Sequence, residues 1–367
     1  MLIALAALMV SSGILSVILV LLVRSFSRRV GFLDRPGAHK GHKAPTPYGG
    51  GIALFFATLV PVFVAAGTVS WLSAHGIPTW MPASLEGVWI HLAGAVSRFG
   101  QLMAVLVGAL VIVALGLIDD LWKLPAPLKF AVEIAVGILL VVTGVRITAL
   151  VGPGILGGAV TVVWIVAITN AFNFLDNMDG LSAGVALVVA VIMAVVSLQS
   201  GQFFIAALLA PLVGALAGFL LFNYPPASIY MGDTGSLFIG YFLSVLAVLV
   251  TFYEGPTESF RPVLLPLLMF SVPIYDMTSV ILIRLRAGVN PMRGDRRHFS
   301  HRLVNLGLSP RLAVLAIHLL ALGVGLSAVL LYLVPSRAGE VLTIIQAAVI
   351  FLVIVVLEHA GPKGAQP

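Results

Sequence analysis

Apolar runs of about twenty residues recur along the whole chain, and each is long enough to cross a hydrocarbon core of roughly 30 Å as a helix. Eleven can be counted, at approximately 2–23, 50–69, 101–118, 128–148, 157–173, 181–198, 203–222, 236–252, 262–283, 310–333 and 340–357. With 60% hydrophobic and 9% charged residues among 367, there is too little polar surface to cover a water-soluble domain. The expectation is an all-α polytopic membrane protein, one integral-membrane domain over residues 1–367. The first run is too long for a signal peptide. A small-residue cleavage site does not follow it, and Arg24, Arg28 and Arg29 lie on its C-terminal side. It reads as a retained helix with the N-terminus outside, which by alternation puts the C-terminus in the cytoplasm.

Lysine and arginine should concentrate in cytoplasmic loops. The loops assigned inside carry 16 of the 20 basic residues, leaving only Arg98, Arg146, Arg261 and Arg337 outside. The rule says little about acids, yet all eight aspartates fall at cytoplasmic ends or loops, while Glu86, Glu254, Glu258 and Glu340 lie outside. Topology alone does not sort aspartate from glutamate, so the cytoplasmic face is expected to host chemistry that needs short carboxylates. The longest outer loop, about 70–98 with Trp71, Trp80 and Trp89, reads as interfacial. Cysteine is absent, which excludes disulfides, thiolate ligands and cysteine nucleophiles. The net charge of +6 suits anionic lipid or anionic substrates.

The inner loops carry the candidate chemistry. In "GLIDDLWKLPAPLK", Asp119 and Asp120 close a span, and Lys123 and Lys129 follow. Adjacent carboxylates repel, so such a pair suits a cation site or a base; a solvated helix end is the other reading. "NAFNFLDNMDGLSAG" sets Asp176 and Asp179 three apart, with Asn170 and Asn173 at the end of an apolar span, where unpaired burial is costly. Gly180 and Gly184 permit close backbone approach. "NYPPASIYMGDTGSLFIG" places Asp233 between glycines, where it can reach a hard cation while amides at a helix start near Ser236 face an anion. A turn with Asp233 or Ser236 as helix cap is compatible with that reading. Asp276, within an apolar span, is either functional or paired with a nearby base. "DRRHFSHRL" packs Arg296, Arg297, His298, His301 and Arg302 into seven residues, more than a positive-inside loop requires. Arg35, His39, Lys40, His42 and Lys43 repeat the theme in a Pro- and Gly-rich turn.

Together with "DRPGAHKGHKAPTPYGGG" and "PIYD", these motifs occur in an order that resembles the polyprenyl-phosphate N-acetylhexosamine-1-phosphate transferases. That superfamily includes the UDP-GlcNAc:undecaprenyl-phosphate transferases and the phospho-MurNAc-pentapeptide translocases. The resemblance implies transfer of a sugar-1-phosphate from a UDP-N-acetylhexosamine to a polyprenyl phosphate in the inner membrane, with release of UMP at the cytoplasmic face. It implies Mg²⁺, or Mn²⁺ in its place, as cofactor, with Asp233, Asp120 and Asp176 as metal ligands and Asp119 as candidate base. Asp179 and Asn173 would shape the nucleotide and metal site, and Lys123 and Lys129 would steady phosphates. Asn223 and Tyr230 would lie near uridine, and His298, His301 and Arg302 would hold the pyrophosphate or sugar. A homodimer is compatible with the resemblance, and a nucleic-acid partner is not expected. The family commonly shows a second histidine where this chain has Ser300. The "DNMDG" wording favours UDP-GlcNAc as donor, then a modified N-acetylhexosamine, then the MurNAc-pentapeptide. A secondary transporter is the rival class, but its ionisable residues would sit near the midplane in paired repeats; only Glu133 and Asp276 fit that pattern.

Overall fold

The computed structural model describes residues 1–34, 45–78, 90–147, 154–250, 260–292, 295–334 and 336–360, with side chains to position 356. The basic cluster from Arg35 to Lys43, Trp80, Trp89, Glu86, Glu254, Glu258, Arg293 and Lys363 lie outside these ranges. The helices are α1 (Leu2–Val30), α2 (Gly50–His75), α3 (Leu92–Ser97), α4 (Phe99–Trp122), α5 (Ala126–Val142), α6 (Ile155–Leu175) and α7 (Leu181–Gln199). They continue as α8 (Phe203–Asn223), α9 (Gly232–Leu249), α10 (Arg261–Met269), α11 (Ser271–Arg286), α12 (Phe299–Asn305), α13 (Pro310–Leu333) and α14 (Arg337–Ala360). Strands β1 (Leu33–Asp34) and β2 (Thr46–Pro47) pair antiparallel, with Leu33 opposite Pro47 and Asp34 opposite Thr46.

Among the described residues nine helices are long and apolar enough to span a membrane, and the bent pair α10 and α11 makes a tenth. At 17 residues α5 lies at the lower limit for a span, and counting it gives the eleven expected from sequence. One expectation needs correction. The run 262–283 is not one straight helix; it bends by 74° at Phe270. Pro266 and Pro273 each lack an N–H, and the Pro273 ring cannot pass the carbonyl of Met269 in a continuous helix.

The bundle is organised around α9, whose 18 residues are nearly all buried against α2, α4, α6 and α7. Small residues set that closeness. A Cβ on Gly51 of α2 would stand 2.2 Å from the Gly235 nitrogen, and one on Gly116 of α4 would stand 2.6 Å from the Asp233 carbonyl. On the other side α1 packs along α8, with the Ser16 hydroxyl donating to the Ala215 carbonyl at 2.8 Å. Ser12 lies 2.7 Å from the Ala57 carbonyl, which Pro61 leaves without its helical donor.

The contacts sort the helix ends into two groups. At one end Lys129 meets Asp119 and Asp233, the Asp179 carboxylate meets the Ala227 amide, and Arg24 at the close of α1 donates to Ser228 at 3.1 Å. At the other, Arg261 and Glu340 form a 2.8 Å ion pair between α10 and α14. The aspartates that the sequence assigned to one side of the membrane thus share one end of the bundle.

Candidate active site

Helix α4 ends in a left-handed residue, Lys123 at φ 50°, whose N–H donates to the Asp119 carbonyl at 2.8 Å. This stop puts Asp119 and Asp120 on the last turn, facing the start of α9. Asp120 caps that start from a distant part of the chain. Its carboxylate accepts the Asp233 amide at 2.8 Å, the Thr234 amide at 3.0 Å and the Thr234 hydroxyl at 2.6 Å. Gly232 holds φ +70° beside it, and a Cβ there would approach an Asp120 oxygen to 2.6 Å. The helix therefore begins at Gly232, four residues before the Ser236 start read from sequence, and Asp120 is the anion at its N-terminus.

Asp119 is buried, with one oxygen on the Leu124 amide at 2.6 Å and the other on Lys129 Nζ at 2.7 Å. Lys129 also reaches Asp233 at 3.3 Å. The second Asp233 oxygen accepts from Asn173 Nδ2 at 3.0 Å, and the same amide lies 3.0 Å from Ser236 Oγ. Asp119, Lys129, Asp233 and Asn173 form one cluster drawn from three spans and the head of a fourth. An ammonium has three donors, so Lys129 can hold both carboxylates and still offer a hydrogen to a phosphate oxygen.

The loop after α6 brings the remaining acids. Asp176, half-buried at its start, accepts no hydrogen bond from a described residue. Withdrawal from water pushes its carboxyl well above the usual range, reinforced by the charges of Asp233, Asp120 and Asp179. Asp179 accepts the Ala227 amide at 2.8 Å. Asn223 is a staple between the same two loops, accepting from the Gly180 amide and donating to the Ile229 carbonyl, both at 3.0 Å. The Tyr230 amide donates to the Pro47 carbonyl at 2.8 Å, and its ring stands edge-on to Tyr48 at 6.0 Å. Burial, then the Asp179 charge, pushes the Tyr230 phenol up to about 12; burial and then Asp34, Asp120, Asp176 and Asp233 raise Tyr48 further. Both tyrosines therefore face the acidic cluster as neutral donors. Tyr48 was not among the residues singled out from sequence, where an aromatic beside three glycines gave no signal.

The loop between α11 and α12 is held by two buried charges that sequence reasoning left aside or undecided. Asp276 of α11 is 0% exposed and accepts from His298 Nδ1 at 2.8 Å and the Phe299 amide at 2.6 Å, so it is paired, as one of its two readings allowed. Arg284, 2% exposed, forks onto Asp295 at 2.9 and 3.2 Å, donates to the Pro291 carbonyl at 2.7 Å and lies 3.4 Å from His298 Nε2. Its guanidinium also covers the Phe174 ring at 5.4 Å. Partial burial pushes Asp295 up, but Arg284, the Arg297 amide and the Arg297 charge together hold it below the usual carboxylate range.

His298 is therefore a buried strut with both ring nitrogens engaged. Arg302 donates to the Arg297 carbonyl at 2.7 Å and Ser279 Oγ at 2.9 Å, with its guanidinium over the rings of Tyr275 and Phe299. His301 is half-buried and its ring hydrogen-bonds no described residue. Burial, then the His298 and Arg296 charges, lowers it to about 4, so it is neutral at pH 7. Lys123 is exposed on the same end of the bundle.

Among the described residues no three carboxylates or imidazoles converge as a preformed cage. Magnesium is ordinarily held by one or two carboxylates plus substrate phosphates, and Asp176, whose carboxylate accepts no hydrogen bond from a described residue and feels the Asp233 charge, offers that kind of hard oxygen donor. The donor set thus fits a divalent ion that arrives with a phosphorylated ligand.

Residues 102–251, which include every element of the acidic cluster, match glycosyl transferase family 4. The chain is 33% identical to the probable undecaprenyl-phosphate N-acetylglucosaminyl 1-phosphate transferase of Bacillus subtilis, over 84% of this chain and 80% of that protein. It is 32% identical to the decaprenyl-phosphate N-acetylglucosaminephosphotransferase of Mycolicibacterium smegmatis, over 94% and 86%. The undecaprenyl-phosphate alpha-N-acetylglucosaminyl 1-phosphate transferase of Escherichia coli K12 is 26% identical over 85% and 80%.

Proposed function

Because this chain belongs to the polyprenyl-phosphate N-acetylhexosamine-1-phosphate transferases of glycosyl transferase family 4, we propose that it transfers GlcNAc-1-phosphate from UDP-GlcNAc to a polyprenyl phosphate. In this reaction an oxygen of the lipid phosphate attacks the phosphorus that carries the sugar. The bond from that phosphorus to the bridging oxygen breaks, UMP leaves, and a lipid-pyrophosphate sugar remains at the cytoplasmic face of the inner membrane. The single observation that carries this reading is the Asp119–Lys129–Asp233–Asn173 cluster, near enough to Asp176 for the Asp233 charge to act on it. It lies at one end of four spans, the level at which the phosphate of a lipid with a long apolar tail would sit.

Asp233 and Asp176 would hold a magnesium ion, which when bound would supply Lewis-acid withdrawal of charge from the substrate phosphates. The protein's own residues do the rest. Lys129 offers its third hydrogen to a phosphate oxygen, and Asp119 holds Lys129 in place. Asn173 fixes the Asp233 carboxylate, and Asp120 holds the α9 backbone from which Asp233 projects. A phosphate monoester has its second pKa near 6 and is already largely ionised at pH 7, so a base is not required for attack. With both oxygens of Asp119 engaged, its part is positioning. Glu133 and Asp276, the two acids a transport pathway would use, bond Asn170 and His298 and add nothing to the transporter reading.

The test is UMP release by purified protein with Mg²⁺, undecaprenyl phosphate and a panel of UDP-sugars. UDP-GlcNAc is expected to be used best, and Asp233→Asn to abolish release while the melting temperature holds. Silence with every UDP-N-acetylhexosamine would overturn the proposal.

A further inference from the structure

The loop after α6 and helix α12 stand 123 positions apart at their point of contact, where Ser300 Oγ donates to Asn177 Oδ1. Ser300 is 1% exposed. The Asn177 amide nitrogen donates to the Phe174 carbonyl at 2.9 Å, which turns its oxygen toward the serine. A neutral hydroxyl can make this bond inside the protein without the desolvation cost that a buried cation would carry.

The chain neighbours of the bonded pair are Asp176 on one side and His301 on the other, each about 3.8 Å along the backbone from its partner in the bond. Asp176 is the acid of that loop whose carboxylate accepts no hydrogen bond from a described residue. Of the three residues that the resemblance assigns to the pyrophosphate or sugar, His298 is held by Asp276 and Arg284, and Arg302 by Arg297, Ser279 and two aromatic rings. His301 alone keeps a ring with no hydrogen bond to a described residue.

We propose that the Ser300–Asn177 hydrogen bond is a latch that registers α12 against the acidic loop. Ser300 and Asn177 are then positioning residues, and His301 is the histidine they deliver to the donor's phosphates. This inference rests on the transferase reading of the same site.

Ser300→Ala and Asn177→Ala test the bond from its two sides. Each should raise KM for UDP-GlcNAc about fivefold, the scale of one buried hydrogen bond, with kcat little changed. The double variant should be no worse than the worse single one. Effects that multiply in the double variant, or a lower melting temperature with KM unchanged, would overturn the latch. A readout without substrate separates this result from failure of the transferase reading. In a chain without cysteine, His301→Cys is the sole thiol, and adding Ser300→Ala should change its rate of alkylation about fivefold. An unchanged rate would overturn the proposal even in a protein that releases no UMP.

Discussion

At the scale of the residue, the site depends on which polar atoms are already engaged. Among the described residues Lys129 is the one cation that touches both Asp119 and Asp233, so Lys129→Met should leave two neighbouring carboxylates without the charge that holds them together. UMP release is expected to fall by at least about a hundredfold, the order seen when one charge-stabilising donor is lost. His301 gives a signed pH effect. Its folded-state value of about 4 lies below the 6.5 of an unfolded histidine, so between those values the unfolded chain binds more protons. Stability is then full above pH 6.5 and declines as pH falls toward 4. The melting temperature measured at pH 5 should therefore drop further below its pH 7.5 value in the native protein than in His301→Gln. Equal drops would remove His301 as the source. Asp176 and His301 were both legible as candidates in sequence, because aspartates gathered on one side and histidines in a basic loop exceed what topology needs. That His298 and Arg302 are held by the scaffold was not legible, since their partners Asp276, Arg284 and Ser279 lie on another helix.

At the scale of the element, α9 is positioned from outside itself. Asp120 replaces the side-chain cap that the helix lacks locally, and Gly51 and Gly116 let α2 and α4 approach its first turn. Asp120→Ala strands two amides and a hydroxyl, which should destabilise the protein by at least about 2 kcal/mol. Activity should fall with it, because the Asp233 backbone loses its anchor. Gly116→Ala places a methyl 2.6 Å from the Asp233 carbonyl and should cost about 1–3 kcal/mol through forced separation of α4 and α9. Thermal melts in detergent check both, and wild-type melting of Gly116→Ala would show that the contact is not tight. The sequence placed the start of α9 at Ser236 because the polar GDTG reads as a turn when seen alone. Only the distant Asp120 extends the helix back to Gly232. The prolines that break the span 262–283 were in plain view, yet their spacing alone does not say whether a helix kinks slightly or turns by 74°.

At the scale of the whole molecule, the two ends of the bundle differ in kind. One gathers Asp119, Asp120, Asp176, Asp179, Asp233 and the histidine motif; the other closes with the Arg261–Glu340 ion pair between α10 and α14. If the first end is cytoplasmic, Lys123→Cys should react with an impermeant thiol reagent only when it reaches that side, and Arg98→Cys only from the opposite one. Labelling of both from the same side would refute the alternation. The sequence by itself determined the all-helical membrane class, most span limits to within a few residues, and the set of acids that share one face. It could do so because span length, hydropathy and loop charge are local properties of the chain. Only the tertiary structure decided the division of labour among those residues: Asp120 as a helix cap, Asn223 as a staple, His298 as a strut, Asp176 and His301 with no side-chain hydrogen bond to a described residue. Whether a polar atom is engaged or open depends on partners that folding brings from as far as 123 residues away, and no local pattern carries that information.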